Sequence, residues 1–301
     1  MHVTLRQLKV FEAAARLLSY TRTAEQLHLS QPAVSMQIKQ LEGNIGLPLF
    51  ELMGKKLYLT DAGHELHHYS KTIFEQLDEA ESVFESMKGR SSGRLKISVA
   101  TTASHFTTRL LAAFSKRFEG VSIELDVTNR ENLRRQLEDN EPDLVIMGQP
   151  PADLNVVAQA FMDNPLVIVA PVDHPLTHES NIPLSRFAEE RFVVRETGSG
   201  TLGAIERFFS QHDVPFQTGI QMSNNEGIKQ AVEAGLGLGI ASIHTLELEL
   251  KTGHLALLDV EDFPIERHWY LVERKGKRLS VVAQAFKDFV LEEASQFVNL
   301  P

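Results

Sequence analysis

The stretch Ser30 to Glu42, Ser-Gln-Pro-Ala-Val-Ser-Met-Gln-Ile-Lys-Gln-Leu-Glu, constrains this chain more than any other. Ser30 is a good N-cap, and Pro32 is well tolerated just inside a helix start. Val34, Ile38 and Leu41 follow at helical period and mark a buried stripe. Gln31, Ser35 and Lys39 fall together on the opposite side of the wheel, with Pro32 and Met36 beside them. Such a face suits a DNA groove: Gln pairs bidentately with adenine, Ser reaches base edges or phosphate, and Lys suits phosphate or guanine. The same wheel also fits an ordinary amphipathic surface helix, so the surroundings must decide.

Those surroundings favour a reading helix. Leu5, Leu8, Phe11, Ala15 and Leu18 predict a first helix. Tyr20 to Leu27 predicts a short second one, with Ala24 and Leu27 inward. The link His28-Leu29-Ser30 is short enough to hold two helices at a steep angle, a helix-turn-helix. Downstream, Leu49-Phe50, then Gly54-Lys55-Lys56 and Leu57-Tyr58-Leu59, predict a small β-wing with a basic tip. Residues 1–60 carry seven Lys and Arg against four Glu, whereas the whole chain has a net charge of −10. A locally basic surface on an acidic protein marks a nucleic-acid-binding module joined to something else. Arg22, Lys39, Lys55 and Lys56 are its expected phosphate contacts, and Gln31, Pro32, Ser35 and Met36 its expected base-edge face.

The run from Leu5-Arg-Gln-Leu8 through Ala24-Glu-Gln-Leu27, Ser30-Gln-Pro-Ala-Val-Ser35, Leu41-Glu42 and Leu49-Phe50 to Leu59-Thr-Asp-Ala-Gly63 resembles the LysR-type transcriptional regulators. The match is in register over about sixty residues, which no single short motif equals. It departs at Leu52 and Met36, where many relatives carry Arg. The resemblance implies a winged helix-turn-helix over 1–60 and a dimerising linker helix over 61–91. It implies a two-lobed, periplasmic-binding-protein-like α/β effector domain over 92–301, with lobe one at 92–162 plus 267–301 and lobe two at 163–266. It also implies double-stranded operator DNA as partner, a homodimer or homotetramer, and RNA polymerase as a further candidate contact. Met36 is usual in one branch. Asp143-Leu-Val-Ile-Met-Gly148, Phe161-Met-Asp-Asn-Pro-Leu166 and Arg195-Glu-Thr-Gly-Ser-Gly-Thr201 extend the similarity to that branch, the RuBisCO-operon (Calvin-cycle) regulators.

At 301 residues the chain has room for two or three domains with real cores. It has no cysteine, which removes disulfides, Cys zinc fingers and thiol catalysis and fits a cytoplasmic protein. No apolar run reaches membrane-spanning length, and the N-terminus lacks the apolar core of a signal peptide. No membrane partner is expected.

Thr60 is a candidate cap for a helix running to about Lys88. Leu66, Ile73, Ala80 and Met87 recur every seven residues, with Ser70, Leu77 and Phe84 between them, as in a coiled-coil seam that pairs two subunits. His64-Glu-Leu-His-His68 within it satisfies the zinc-protease pattern H-E-x-x-H. No third ligand is placed by any pattern, so no metal site is expected. Gly89 to Gly93 reads as a flexible hinge. Beyond it, strand patterns at Leu95–Val99, Val121–Val127, Leu144–Met147 and Leu166–Ala170 alternate with helical stretches near 105–118, 131–139, 203–212 and 226–234. The last two strands, wholly apolar, read as parallel-sheet strands. The alternation predicts an α/β sheet with helices on both faces.

Two segments combine small residues, hydroxyls and a helix start at strand ends: Ala100-Thr-Thr-Ala-Ser104 and Thr197-Gly-Ser-Gly-Thr201. Helix N-termini present free N–H groups and a positive dipole end to anions. Thr101, Thr102, Ser104, Thr197, Ser199, Gly200 and Thr201, with Asn129 and Gln149 as weaker additions, are therefore the candidate effector site. The effector expected there is a small anionic metabolite, either phosphorylated or NADPH. No bound cofactor is expected. Gly198-Ser-Gly-Thr-Leu-Gly203 also fits the dinucleotide pattern G-x-G-x-x-G, which keeps a nucleotide-dependent enzyme, or a ligand-binding protein without DNA, as the rival class. The next strand, Gly219 to Met222, ends without the acidic residue that would bind the ribose. Gly235-Leu-Gly-Leu-Gly239 reads as a helix end and tight turn, and Ser223-Asn-Asn-Glu226 as a capping box. The reading is a regulator, not an enzyme.

Overall fold

The structure, a computed structural model, describes residues 2–54, 56–87 and 93–297. Lys55 and the hinge residues 89–92 lie outside the described residues, as does the side chain of Met87. The chain forms two compact units, Met1–Glu81 and Ser82–Pro301.

The first unit holds α1 (Leu5–Leu17), α2 (Tyr20–Leu27), α3 (Gln31–Ile45), the hairpin β1 (Phe50–Met53) and β2 (Lys56–Leu59), and the start of α4 (Asp61–Met87). Short polar residues set each start. Thr4 and Gln7 form a reciprocal capping box, Ser19 caps α2, Ser30 caps α3, and the Thr60 hydroxyl accepts from Gly63 N at 3.1 Å. Left-handed residues at Leu18 and His28 end α1 and α2, so the chain turns sharply into each following helix. The predicted stripe is the core: Phe11, Val34, Ile38, Leu41 and Leu49 are buried together, joined by Val10, Ala14 and Ala24. Leu5 and Leu18, at the two ends of α1, stay exposed. Phe50 anchors the wing between Phe11 and Tyr20, at ring distances of 5.5 and 5.6 Å.

The second unit begins with β3 (Gly93–Ala100), α5 (Ser104–Arg117), β4 (Val121–Thr128), α6 (Arg130–Glu138), β5 (Leu144–Met147) and β6 (Val156–Asp163). It continues with β7 (Leu166–Pro171), β8 (Arg191–Arg195), α7 (Gly200–Gln211), β9 (Gln217–Met222), α8 (Asn225–Glu233), β10 (Leu238–Ser242), α9 (Glu247–Thr252) and β11 (Leu255–Leu257). It ends with β12 (His268–Arg274) and α10 (Val281–Glu293). Two five-stranded sheets result, in the orders β4-β3-β5-β12-β6 and β11-β7-β10-β8-β9. Each is one lobe. Alternate residues of β5 face opposite cores: Leu144 and Ile146 pack with α5 and α10, Val145 and Met147 with Leu133 and Leu137 of α6. In the other lobe, Phe192 and Val194 face α7 while Val193 faces Ile228 and Val232 of α8. Helices thus cover both faces of each sheet.

The chain crosses between lobes at Asn164-Pro165 and returns at Ile265 to Arg267. The two crossings pair with each other: Asn164 N donates to Arg267 O at 2.7 Å, and Leu166 N to Ile265 O at 3.0 Å. Three expectations need correction. β7 is not a parallel strand, since both its neighbours, β10 and β11, run antiparallel to it. Its unbroken apolar run reflects helices on both faces, not strand direction. The cap of α8 is Asn224, which accepts from Gly227 N at 2.7 Å, so Ser223 does not form the box. The run Gly235–Gly239 ends α8 as expected but its second half is already β10, with Gly239 in ladder with Val169. Among the described residues no helix is long and apolar enough to cross a membrane, and no group of three His, Cys, Asp or Glu could hold a metal ion.

Gly63 lies in the first turn of α4, hard against the Leu49 carbonyl and 2.9 Å from Leu59 Cδ2 at the position a Cβ would take. The close neighbour is backbone, so it cannot swing away. Gly63→Ala is expected to destabilise the N-terminal unit by about 1–3 kcal/mol. That lowers its melting temperature by at least about 5 °C in circular dichroism.

Candidate functional site

The first site is the outer face of α3. Burial of Val34, Ile38 and Leu41 at 1% exposure or less fixes the helix's rotation. Gln31, Pro32, Met36 and Lys39 are then exposed and Ser35 half-buried, and together with Gln40 they line one shallow open groove. Gln40 was not singled out from sequence. It stands one turn beyond Met36, so the helical period already carried the signal. The Glu42 carboxylate accepts from the backbone N–H groups of Leu49 at 2.8 Å and Phe50 at 3.3 Å, tying α3 to the wing. Burial, with Glu42 nearby, pushes the Tyr20 hydroxyl up to about 12, so it remains a neutral part of this support. Arg22 is exposed, and one arm of its guanidinium donates to Leu17 O at 2.6 Å, leaving further N–H groups of its fork for an outside acceptor. Lys56 is exposed at the start of β2. Neither residue lines the groove.

The second site is a cleft between the two lobes of the second unit, with a volume of about 110 Å³. Its walls come from the carboxyl ends of β3, β4, β5 and β8, where ligands of α/β sheets sit. Thr101, Thr102, Asn129, Thr197, Ser199, Gly200 and Thr201 all line it. Ser104 and Gln149 do not. The Ser104 hydroxyl donates to Thr101 O at 2.7 Å, and Gln149 takes part only through its carbonyl, which accepts from Arg130 at 2.6 Å. Several of the lining residues already have partners. The Asn129 side chain caps α6, Ser199 caps α7, and the Thr101 hydroxyl accepts from Arg195 at 3.2 Å. The hydroxyls of Thr102, Thr197 and Thr201 have no side-chain partner among the described residues.

Sequence reading missed the arginines. Arg130 and Arg267 are half-buried in the cleft wall, and both guanidinium groups reach the first turn of α7. A Cβ on Gly200 would lie 3.4 Å from Arg130 Nη1 and 3.8 Å from Arg267 Nη2. At Gly148 a Cβ would lie 2.6 Å from Arg267 Nη2, so glycine there leaves room for the guanidinium. Arg207, exposed on the second turn of α7 and outside the cleft lining, adds a third charge nearby. Burial, then the repulsion of Arg130 and Arg207, pushes Arg267 down to about 10. Burial, then Arg207 and Arg134, lowers Arg130 as well. Among the described residues no carboxylate pairs with Arg130, Arg207 or Arg267. Arg195 contrasts with them: it is 4% exposed, pairs with Glu196 at 2.7 Å, and also bonds Asn225 and Ser223. It is a neutralised joint, whereas the other three present net positive charge beside a helix N-terminus. Isolated arginines far apart in sequence carry no local pattern. The one available hint was Arg130 directly after the capping Asn129.

Comparison with known proteins agrees with this geometry. Residues 5–64 match the family model described as bacterial regulatory helix-turn-helix protein, lysR family, and residues 88–295 match LysR substrate binding domain. The RuBisCO operon transcriptional regulator of Allochromatium vinosum is 58% identical over 296 residues, 98% of this chain and 98% of that protein. The Synechocystis CcmR regulatory domain, solved in complex with 2-PG, is 42% identical with a TM-score of 0.64, over 66% of this chain and 96% of that one. A full-length CbnR structure with its target DNA shares the fold, with a TM-score of 0.69 at 17% identity over 96% of this chain and 99% of that one. With both family models matched in order and a relative this similar along almost its whole length, the chain belongs to the LysR family of DNA-binding transcriptional regulators, and is not an enzyme.

Proposed function

We infer that this regulator controls carbon-fixation genes in response to a small phosphorylated carboxylate bound in the cleft of its second unit. The observation that carries the reading is the pair of half-buried arginines, Arg130 and Arg267, without carboxylate partners among the described residues, at the N-terminus of α7, with the exposed Arg207 repelling both from outside the cleft wall. Unpaired buried charge is costly, and an anion relieves it. The helix dipole and free N–H groups of α7 add to the attraction. The Allochromatium relative supports the target genes, and the 2-PG complex of CcmR supports the ligand class.

The operator is read by the α3 face, with Gln31, Pro32, Ser35 and Met36 at base edges and Lys39, Arg22 and Lys56 toward phosphates. Along α4, Tyr69, Ile73, Leu77 and Phe84 are exposed apolar side chains at helical spacing, which supports pairing of two copies. A dimer or tetramer would present paired reading helices to paired half-sites. The protein acts in the cytoplasm, where its operator lies, with RNA polymerase as the further partner that transcription control requires.

Two measurements test this reading. In calorimetric titration with 2-phosphoglycolate, Arg267→Gln should weaken binding at least about tenfold, the loss of one charged hydrogen bond. It should leave the melting temperature without ligand unchanged or higher. Equal affinity in wild type and variant removes the arginine cluster from the site. In fluorescence-anisotropy binding, Gln31→Ala should lose about 1–3 kcal/mol at the operator while hardly changing affinity for random DNA. Lys56→Ala should weaken both alike and flatten the salt dependence. An unchanged operator-to-random ratio for Gln31→Ala would mean another face reads the bases.

A further inference from the structure

Trp269, the only tryptophan of the chain, stands on β12 two residues beyond Arg267 and lines the same cleft. Its side chain is 1% exposed. Its indole body packs on Phe106 at a ring distance of 5.4 Å and belongs to the core of the first lobe. Its Nε1–H, however, is fully buried and has no hydrogen-bond partner among the described residues. Buried Trp N–H groups nearly always find one, because an unmade bond costs the full desolvation of the donor. A group held in this way beside a ligand cleft calls for a functional explanation.

We propose that the Trp269 indole N–H is a ligand donor that sets which anions the cleft accepts. This rests on the cleft being the anion site argued above. The arginines supply charge but little discrimination, since any oxyanion satisfies them. The indole N–H is neutral, is held by the surrounding core and has no surface of its own in the cleft, so a ligand oxygen reaches it only as the wall shifts to admit the ligand. It rewards only a ligand with a second acceptor oxygen at the right reach from the anionic group. The ligand class is therefore a small organic anion with two oxygen-bearing ends: one on Arg267, Arg130 and the start of α7, the other on Trp269. Inorganic phosphate, with a single centre, occupies the arginine end and leaves the indole unpaired. Buried donors of this kind discriminate strongly, because an analogue that lacks the acceptor leaves them unsatisfied.

The test uses the full-length protein with two probes, 2-phosphoglycolate and inorganic phosphate. Calorimetry should show Trp269→Phe binding 2-phosphoglycolate roughly tenfold more weakly than wild type, with phosphate affinity unchanged. Equal weakening for both probes, or none for either, overturns the proposal, whereas wild-type binding that Arg267→Gln removes leaves the anion site standing. Absence of binding by either probe to wild type overturns both the site and the proposal. Because Trp269 is part of the core, the second measurement keeps the native residue. A ¹⁵N-labelled wild-type protein has a single indole N–H resonance, which should move downfield on saturation with 2-phosphoglycolate and stay near its free position with phosphate. A resonance that 2-phosphoglycolate leaves in place overturns the proposal.

Discussion

The second unit depends on the pair of crossings that join its lobes. A chain that builds two sheets must leave the first and come back, and here the outgoing and returning segments hydrogen-bond to each other through Asn164 and Arg267. That pairing satisfies backbone groups that would otherwise be orphaned at the waist of the molecule. It also fixes what stands on either side of it. β12 enters the first sheet directly from the return crossing, so Arg267 at the end of the crossing and Trp269 on the strand reach the cleft together. The carboxyl ends of β3, β4, β5 and β8 converge on the same place because strand order brings them there.

The arginine cluster is an expensive consequence of that geometry. Arg267 remains charged at neutral pH, since about 10 is still well above 7, but its depression reflects a penalty on the order of 3 kcal/mol for holding the charge there. A structural arginine in the same cleft shows the alternative. Arg195 is even more buried, yet its bonds to Glu196 neutralise it, and three further oxygens, Thr101 Oγ1, Asn225 Oδ1 and Ser223 O, accept from it. A carboxylate near Arg267 would lower that penalty, as Glu196 does for Arg195. In the proposed reading, its absence among the described residues marks a site kept short of an anion.

What was legible in the sequence was local. The Val34, Ile38, Leu41 stripe, the caps Ser30 and Thr60, and the hydroxyl segments at strand ends depend on residues within a turn or two of each other, and the structure places them as read. The direction of β7 was not legible, because burial on both faces produces the same apolar run in parallel and antiparallel strands. Hydroxyl chemistry was legible but hydroxyl availability was not: Ser104 and Thr101 look equivalent to Thr102 until Thr101 O and Arg195 take their hydrogen bonds. Arg130, Arg207 and Arg267 were invisible as a set, since only the crossings and the two sheets bring them together. The resemblance to a family supplied the domain order that no local pattern could.

The same placement makes a switch physically plausible. Arg130 starts α6 in the first lobe, Gly200 and Thr201 start α7 in the second, and Arg267 stands on the crossing between them. In the proposed reading, an anion held at this point bonds to both lobes at once. A ligand shifts a conformational equilibrium only by its difference in affinity for the two states, and one that touches both walls has that difference built in. Opening the cleft would strip the anion of one set of donors and return the arginines to an unpaired state. The resistance to opening thus comes from the ligand's bonds together with the repulsion it had relieved. Two links already cross between the lobes, Arg109 to Glu247 at 2.7 Å and Arg195 to Thr101 at 3.2 Å.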